Sequence, residues 1–299
     1  MTAAANFNSQ VGQIGSAVAH RMWSNVTSAM RILKRAPRPD SGRPLRWSRE
    51  RIAAGAVLIV VAFVWTLVFI DAQTAKAAMT LPDWIIWPFR MITEFGKSGW
   101  FLWPLGLVLL ATAAFLPNPP PPVLRVLSAI PIRAGFLFTA IAIPGAFTGI
   151  TKYLIGRVRP YIESHANPYA FNLFDWHVAY ASLPSGHATN AVAAAAAIGA
   201  MFPAARPVIW LYALLIASSR IVLAAHFPSD VLAGAVVGWF GALLVRDWFA
   251  SRRLGFAVRS DGTVHPMPTP SWRKLKTAFQ ALLGTNKALL GRRASEFAE

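Results

Sequence analysis

Hydrophobic residues in this chain form long blocks rather than recurring at the period of an amphipathic helix or strand. The first block, Ile52–Ile70, contains no charged residue. At about 1.5 Å per helical residue it is long enough to cross a hydrocarbon core of about 30 Å. The six predicted spans are Ile52–Ile70, Trp100–Leu116, Ala134–Ile150, Ala188–Met201, Val208–Ala225 and Val231–Val245. This pattern predicts an all-α polytopic membrane protein, built as a bundle of six transmembrane helices.

The apolar blocks divide the chain into three parts. Residues 1–51 form a basic N-terminal segment, residues 52–245 form the membrane domain, and residues 246–299 form a basic tail. Composition agrees with this division, because 55% of the 299 residues are hydrophobic and the mean hydropathy is +0.45. About fifty polar and basic residues precede the first block, so we interpret it as an uncleaved span rather than a signal peptide.

The placement of charge predicts how the chain is oriented in the membrane. A formal net charge of +17 would also suit a nucleic-acid-binding protein, but the basic residues crowd the two ends, outside the apolar blocks. Six spans put both termini on one side. Assigning that side to the cytoplasm places Arg125, Arg133 and Arg206 in inside loops, as the positive-inside rule requires. We therefore expect a multi-pass inner-membrane protein with cytoplasmic termini, anionic lipids bound at both basic tails, and no nucleic acid.

Each tail also carries apolar residues at helical spacing. The two sets are Val11, Ile14, Val18 and Met22, and Trp272, Leu275, Phe279 and Leu282. A basic amphipathic helix of this kind is typical of a segment lying on the inner leaflet. The alternative, a tail with some helix and no membrane role, stays open for both sets. Cysteine is absent, which excludes disulfides and cysteine-based metal sites.

Three polar clusters lie at the ends of predicted spans three to six. They are Lys152 through Arg159-Pro160, Pro184-Ser185-Gly186-His187, and Ser219-Arg220 followed by His226 and Asp230. Taken singly, the first two have plain structural roles as headgroup anchors and as a helix start. Arg220 is different, because it lies inside an apolar span, where a charge is costly unless it is paired or faces a polar cavity. An intramembrane arginine therefore marks a functional site by default.

The predicted topology brings all three clusters to one membrane face, which the orientation above makes periplasmic. Four cationic or hydroxyl side chains converge there: Lys152, Arg159, Ser185 and Arg220. The fourth helix starts at the same place, so its free backbone N–H groups and positive dipole end add to the donors. These donors outnumber what a carboxylate needs and suit a tetrahedral phosphate. The sequence predicts a phosphate site.

Two histidines in these clusters indicate catalysis in addition to binding. His226 and Asp230 are four residues apart, a spacing that lets the carboxylate orient one ring nitrogen while the other attacks phosphorus. His187 can then protonate the leaving oxygen and later activate water. On this scheme the two histidines start in opposite protonation states. The cationic cluster stabilises charge on the phosphoryl oxygens, so we expect neither a metal nor a cofactor.

The three clusters resemble the signature of the type 2 phosphatidic acid phosphatase (PAP2) superfamily. That signature is Lys-x6-Arg-Pro, then Pro-Ser-Gly-His, then Ser-Arg-x5-His-x3-Asp, and this chain has it in order with no departure in residue type or spacing. The resemblance implies a membrane hydrolase that acts on a lipid phosphate or pyrophosphate through a phosphohistidine. The site residues it implies are Lys152, Arg159, Ser185, Gly186 and Arg220 for phosphate binding, His187 as acid, His226 as nucleophile and Asp230 as orienting carboxylate.

Several alternatives remain at this point. Phosphatidic acid, phosphatidylglycerophosphate, undecaprenyl pyrophosphate and lipid A are all substrates of similar bacterial enzymes. A lipid phosphotransferase would use the same motifs, and a non-catalytic anion or lipid transporter is the rival from another class. Vanadium-dependent haloperoxidases share the signature, but they are soluble, and six spans argue against them. The remaining polar residues Glu163, His165, Asp175 and His177 fit no zinc pattern, so we expect them to shape substrate choice.

Overall fold

The computed structural model of the protein describes residues 2–37, 48–116, 121–162 and 167–282. Helices account for most of these residues, and one short antiparallel hairpin follows the last long helix. The helices are α1 (Thr2–Leu33), α2 (Arg49–Trp65), α3 (Asp71–Met79), α4 (Asp83–Thr93), α5 (Gly99–Phe115), α6 (Pro121–Leu127), α7 (Ala129–Ile155), α8 (Gly186–Met201), α9 (Arg206–Val222), α10 (Pro228–Ser251) and α11 (272–282). The hairpin strands are β1 (Phe256–Val258) and β2 (Val264–Pro266).

Five helical stretches are long and apolar enough to cross a membrane, which makes this a helical integral membrane protein. They are Arg49–Met79, Asp83–Phe115, Pro122–Ile155, Pro203–Val222 and Pro228–Ser251. Five of the six predicted spans fall on these stretches. The remaining one, Ala188–Met201, lies in α8, whose 16 residues would extend about 24 Å as a helix. The helical membrane class is therefore confirmed, and the count of six spans stays a prediction.

Helix α8 is the most buried of the described helices that carry site residues. Eleven of its 16 residues are buried, and most of them are alanine. Helix α10 approaches it closely at two glycines: a Cβ at Gly234 would lie 2.4 Å from the carbonyl oxygen of Ser185, and one at Gly238 would lie 2.4 Å from that of Thr189. Small residues on both helices thus allow backbone contact. This packing fixes the start of α8 against the start of α10.

The region between the first two predicted spans contains helices that the hydrophobic pattern does not predict. A π-helical turn, Thr66–Ile70, joins α2 directly to α3, and a 3-10 turn, Glu94–Gly96, joins α4 to α5. The pattern places residues 71–99 in an outer segment, because Asp71 and Lys76 end the apolar block. The carboxylate of Asp71 is instead fully buried and paired, so the helix continues past it.

The chain forms two compact units. One comprises residues 1–37, 106–135 and 267–299, and in it the Arg133 guanidinium donates to the carbonyl oxygens of Met267 and Pro268 at 2.9 and 3.1 Å. The other comprises residues 38–105 and 136–266 and contains every residue predicted for the site. Its hairpin is not predicted by the sequence pattern, and it is held by edge-to-face packing of Phe256 on Phe136 with ring centroids 4.7 Å apart.

The predicted amphipathic segments are helical where the structure describes them, within α1 and α11, but their membrane contact stays a prediction. Helix α10 continues past Val245 to Ser251. The boundary that we predict for the membrane domain, at residue 245, therefore falls inside this helix. Residues 38–47 and 283–299, which hold several of the basic residues assigned to the tails, lie outside the described part of the chain.

Candidate active site

The three motifs meet through the starts of α8 and α10. The backbone N–H of Ser185 donates to the carbonyl oxygen of Asp230 at 3.0 Å, which joins the second motif to the third. The first motif joins the same region because the segment after α7 pairs with the loop that leads into α8. There the Arg159 N–H donates to the Ala179 carbonyl at 2.9 Å, and the Ser182 N–H donates to the Arg157 carbonyl at 3.1 Å.

Asp230 holds the centre of this arrangement. Its Oδ1 accepts from Arg157 Nη1 at 2.5 Å, and its Oδ2 accepts from Ser182 Oγ at 2.6 Å and from the Phe227 N–H at 2.9 Å. His226 Nδ1 lies 3.7 Å from Oδ2, an ion-pair distance longer than a hydrogen bond. The predicted His226–Asp230 pair is therefore adjacent but loose, because other donors already hold both carboxylate oxygens.

His226 is buried in the turn between α9 and α10, with 4% of its surface exposed. Its backbone N–H donates to the Arg220 carbonyl at 3.2 Å, and Nδ1 has no hydrogen-bond partner among the described residues. Burial lowers the pKa of His226 to about 4, although Asp230 opposes the shift; Arg159 and Arg220 reinforce it. The ring is therefore neutral near pH 7, as nucleophilic attack requires.

His187 lies in the first turn of α8, before the predicted span Ala188–Met201. Its ring packs against Gly96, where a Cβ would lie only 2.7 Å from His187 Cδ2. Burial lowers the pKa of His187 to about 3, and the positive charges of Arg220, Arg159 and Lys97 add to the shift, as would a proton on His226. Both histidines are thus neutral near pH 7 in the protein alone. We predict that the two histidines start in opposite protonation states, and this does not hold for the protein alone. Burial and the surrounding cations disfavour a proton on His187 as they do on His226.

Several donors of the predicted phosphate site have unused hydrogen-bonding capacity. Arg220 is buried and donates from Nη1 to Thr93 Oγ1 at 2.6 Å, whereas its Nε has no partner in the described ranges. The Oγ of Ser185 is likewise buried and unpartnered among those residues. At Gly186 a Cβ would meet nothing within 4 Å, so a ligand can reach the backbone there. A buried hydrogen-bond donor without a partner destabilises the protein unless an acceptor binds it. A single anion could accept hydrogen bonds from all of these donors.

The two remaining cations are more accessible. The guanidinium of Arg159 donates to the Val178 and Ala181 carbonyls at 3.0 and 3.4 Å, which holds it over the loop before α8. Lys152 Nζ lies 4.9 Å from the centroid of the Tyr153 ring. That ring in turn stacks on Trp176 with centroids 5.3 Å apart.

Apolar side chains are exposed along the loop between the first two motifs. Those with at least 43% exposure are Tyr161, Ile162, Tyr169, Phe171, Leu173, Phe174, Trp176 and Val178. Hydrogen bonds from Asn172 N–H to the Gly156 carbonyl and from Phe174 N–H to the Leu154 carbonyl, at 2.7 and 3.2 Å, hold the loop against the end of α7. An ordered apolar surface beside the phosphate site suits the acyl region of a lipid.

The polar loop residues predicted to shape substrate choice are only partly described. Glu163 and His165 lie outside the described residues. Asp175 accepts hydrogen bonds from the Asn172 side chain and from the His177 N–H, at 2.7 and 2.8 Å, and so stabilises the loop itself. Within the ranges that the structure covers, no three His, Asp or Glu side chains cluster so as to hold a metal ion. The expectation of a metal-independent reaction stays a prediction.

Sequence reasoning missed a second layer of residues behind the site. Arg157, within the first motif, is fully buried and binds both Asp230 and Asp71. Asp71 also accepts from Ser229 at the start of α10. The sequence contains one sign of these residues. Arg157 is a second arginine, two residues before Arg159, in a segment next to an apolar span.

The region that contains the site is similar to known proteins. The model of the PAP2 superfamily matches residues 133–254, a range that contains all three motifs. Residues 133–254 therefore match the PAP2 superfamily. This match confirms the resemblance, and the names of the curated relatives support the prediction of a phosphatase-type hydrolase.

Two curated relatives carry the name lipid A 1-phosphatase. The protein from Rhizobium etli is 35% identical over 127 residues, which are 42% of this chain and 55% of the relative. The protein from Rhizobium johnstonii is 29% identical over 228 residues, or 73% of this chain and 87% of the relative. The match thus spans only about half of the first relative and most of the second.

A crystal structure of a PAP2-type phosphatidylglycerolphosphate phosphatase from Bacillus subtilis is similar to this chain. The two chains are 20% identical, with a TM-score of 0.44, over 63% of this chain and 92% of the Bacillus subtilis chain.

Proposed function

We propose that this protein hydrolyses the phosphate of a membrane lipid through a phosphohistidine formed on His226. One observation carries the proposal: His226 is buried and His187 half-buried, and Arg159 and Arg220 lie close enough to both rings to lower their pKa values, while the hydroxyl of Ser185 has no partner among the described residues. Neutral imidazoles suit proton transfer and attack, and converging donors suit the charge that a phosphoryl group carries in the transition state.

The reaction divides into two steps. His226 Nε2, on the ring side away from Asp230, attacks phosphorus, and the bond from phosphorus to the lipid oxygen breaks while His187, which has taken a proton from the bound phosphate monoester, gives that oxygen the proton. Water then attacks phosphorus, His187 takes its proton, the P–N bond breaks, and inorganic phosphate leaves. Lys152, Arg159 and Arg220 with the start of α8 stabilise the phosphoryl oxygens throughout. A second lipid hydroxyl in place of water would make the enzyme a phosphotransferase, which product analysis distinguishes.

We propose lipid A, or another phosphorylated glycolipid, as the first substrate to test. The names of the two rhizobial relatives support this choice. The exposed apolar loop supports a substrate whose acyl chains lie next to its phosphate. Phosphatidic acid, phosphatidylglycerophosphate and undecaprenyl pyrophosphate are the alternatives.

A phosphate-release panel with purified protein in lipid nanodiscs tests both substrate and metal dependence. We expect release from at least one of the four lipids, fastest from lipid A, and unchanged after thorough EDTA treatment, because the charge of Lys152, Arg159 and Arg220 replaces a metal. No release from any lipid would reject the function. Activity lost in EDTA and restored by Mg²⁺ or Zn²⁺ would reject the metal-independent mechanism.

We further propose six spans, with α8 as the fourth, the active site at the periplasmic face of the inner membrane, and both basic tails against anionic lipids of the cytoplasmic leaflet. The positive-inside bias supports this orientation. A reporter fused after Glu299 should therefore read as cytoplasmic, and one inserted at Asn167 as periplasmic. A periplasmic reading at the C-terminus would mean that the chain crosses the membrane an odd number of times.

The histidine pKa values predict a mildly acidic optimum. His226 attacks only when neutral, and with a pKa of about 4 it remains so down to about pH 5. Because the pKa of His187 is lowered to about 3, its proton has to arrive with the substrate, whose phosphate monoester loses its last proton near pH 6. We expect kcat/KM to be highest between about pH 5 and 6 and to fall at higher pH.

Two aryl phosphates with different phosphate pKa values provide the check. The alkaline limb of kcat/KM should shift with the pKa of the substrate. A limb that stays at one pH for both substrates would assign the ionisation to the protein and contradict this protonation scheme.

A further inference from the structure

A buried ion network lies directly behind His226. Arg157 binds Asp230 Oδ1 through Nη1 at 2.5 Å and Asp71 Oδ2 through Nη2 at 2.8 Å, and all three side chains are 0% exposed. The remaining donors of Arg157 are also used, on Ser229 Oγ at 2.7 Å and on the Pro168 carbonyl at 2.9 and 3.0 Å. The guanidinium therefore has one fixed position between the two carboxylates.

The charges of this network do not cancel. Two carboxylates and one guanidinium leave one negative charge uncompensated in a site without solvent access. Such a charge is costly in a protein interior unless a nearby cation forms or binds. His226 Nδ1, 3.7 Å from Asp230 Oδ2, is the group next to the network on which a positive charge develops when the ring attacks phosphorus.

Asp71 determines whether that negative charge exists. If Asp71 were neutral, Arg157 would compensate Asp230 alone, and the imidazolium of His226 would have no net counter-charge behind it. The cations that face His226 would then dominate, namely Arg159 and Arg220, with neutral His187 beside them. Asp71 therefore acts on His226 through Arg157 and Asp230, although it contacts neither the ring nor the proposed phosphate site.

We propose that Asp71 is a positioning residue for the reaction, which occupies one side of Arg157 so that Asp230 keeps a net negative charge facing His226. This inference rests on the proposed phosphohistidine mechanism. Asp71 lies in α3, outside the three motifs and outside the matched range 133–254.

A purely structural role has to be separated from this one, because Asp71 also accepts from the Ser229 N–H at 2.9 Å and from its hydroxyl at 2.5 Å. Asp71→Asn removes the charge and keeps the shape and one acceptor oxygen, although its amide nitrogen replaces the second oxygen that accepts from Ser229 or Arg157. In the full-length protein we expect kcat to fall about 100-fold with KM changed little, since the lost interaction belongs to the transition state. The acid limb of kcat/KM should also move to lower pH, because His226 loses its counter-charge and becomes harder to protonate.

The double variant Asp71→Asn/Arg157→Gln provides the decisive comparison. It removes one negative and one positive charge together, so Asp230 again faces His226 with its own charge. We expect it to recover at least about tenfold of the kcat lost in Asp71→Asn, a coupling that a double-mutant cycle detects. If the network only supports the fold, the double variant should be no more active than the less active of the single variants Asp71→Asn and Arg157→Gln. The acid limb of kcat/KM for Asp71→Asn should then stay where it is in wild type.

Asp83→Asn is the matched control, because Asp83 is an exposed acid at the start of α4 and should leave both kcat and the acid limb unchanged. If Asp71→Asn does not fold, the proposal is tested by comparing kcat of the double variant with kcat of wild type. A value within about tenfold of wild type supports the proposal, and a larger loss overturns it. Wild type that forms no phosphohistidine would reject the underlying mechanism. Wild type that forms it at the same rate as Asp71→Asn would reject the role of Asp71 only.

Discussion

Replacing His226 by alanine should abolish phosphate release, with a loss of at least about 10⁴-fold in kcat, as expected when the nucleophile of a covalent mechanism is removed. The remaining donors would still bind phosphate, because Arg159, Arg220 and the start of α8 do not depend on the ring. Substrate affinity should therefore change much less than kcat. Phosphate release at saturating substrate, and competition by inorganic phosphate, measure the two effects separately.

His20→Ala is the matched control for this variant, because His20 is an exposed histidine in α1 and has no part in the proposed reaction. It should retain wild-type kcat. If His226→Ala kept activity within about tenfold of wild type, the nucleophile would be another group and the two-step scheme would fail.

Replacing His187 by alanine should have an effect that depends on the leaving group. Loss of a general acid costs about 10²–10⁴-fold when the departing oxygen needs a proton, as the alkoxide of a lipid alcohol does. An aryl phosphate or a pyrophosphate has a better leaving group and needs less help, so the variant should still phosphorylate His226 with these substrates. Since His187 also activates water, the phosphoenzyme should then accumulate.

Rapid-mixing measurements with a lipid monoester and an aryl phosphate test this directly. We expect a burst of aryl alcohol followed by slow turnover in His187→Ala. An equal loss for both substrates, without a burst, would assign His187 to positioning or phosphate binding rather than to proton transfer.

The membrane class and the three motifs could be predicted because both depend on residues that are close together in the sequence. Long uncharged blocks such as Ile52–Ile70 are typical of membrane spans, and the motif spacing determines which residues meet at the starts of α8 and α10. The apolar block Ala188–Met201 predicts the helix that the structure shows as α8, although this helix has 16 residues and is shorter than a typical span. Its burial agrees with small residues that pack against neighbouring helices rather than lipid.

The network behind His226 could not be predicted, because it depends on a pairing between residues far apart in sequence. Asp71 and Arg157 are separated by 86 positions, and a single aspartate after an apolar block suggests the end of a helix. The loose contact between His226 and Asp230 was hidden for the same reason: their spacing of four residues shows that they can meet, whereas Arg157 and Ser182 determine which donors the carboxylate actually binds. Tertiary pairing of charges overrides what local spacing suggests.

Direct identification of the phosphorylated residue tests whether phosphate passes through His226. Wild type and His187→Ala would be mixed with a ³²P-labelled aryl phosphate, quenched in alkali, where a P–N bond survives, and digested for peptide mapping. We expect label on the peptide that contains His226, at a higher level in His187→Ala, and no label in His226→Ala. Label on His187 or any other residue, or turnover without a labelled residue in either protein, would contradict it.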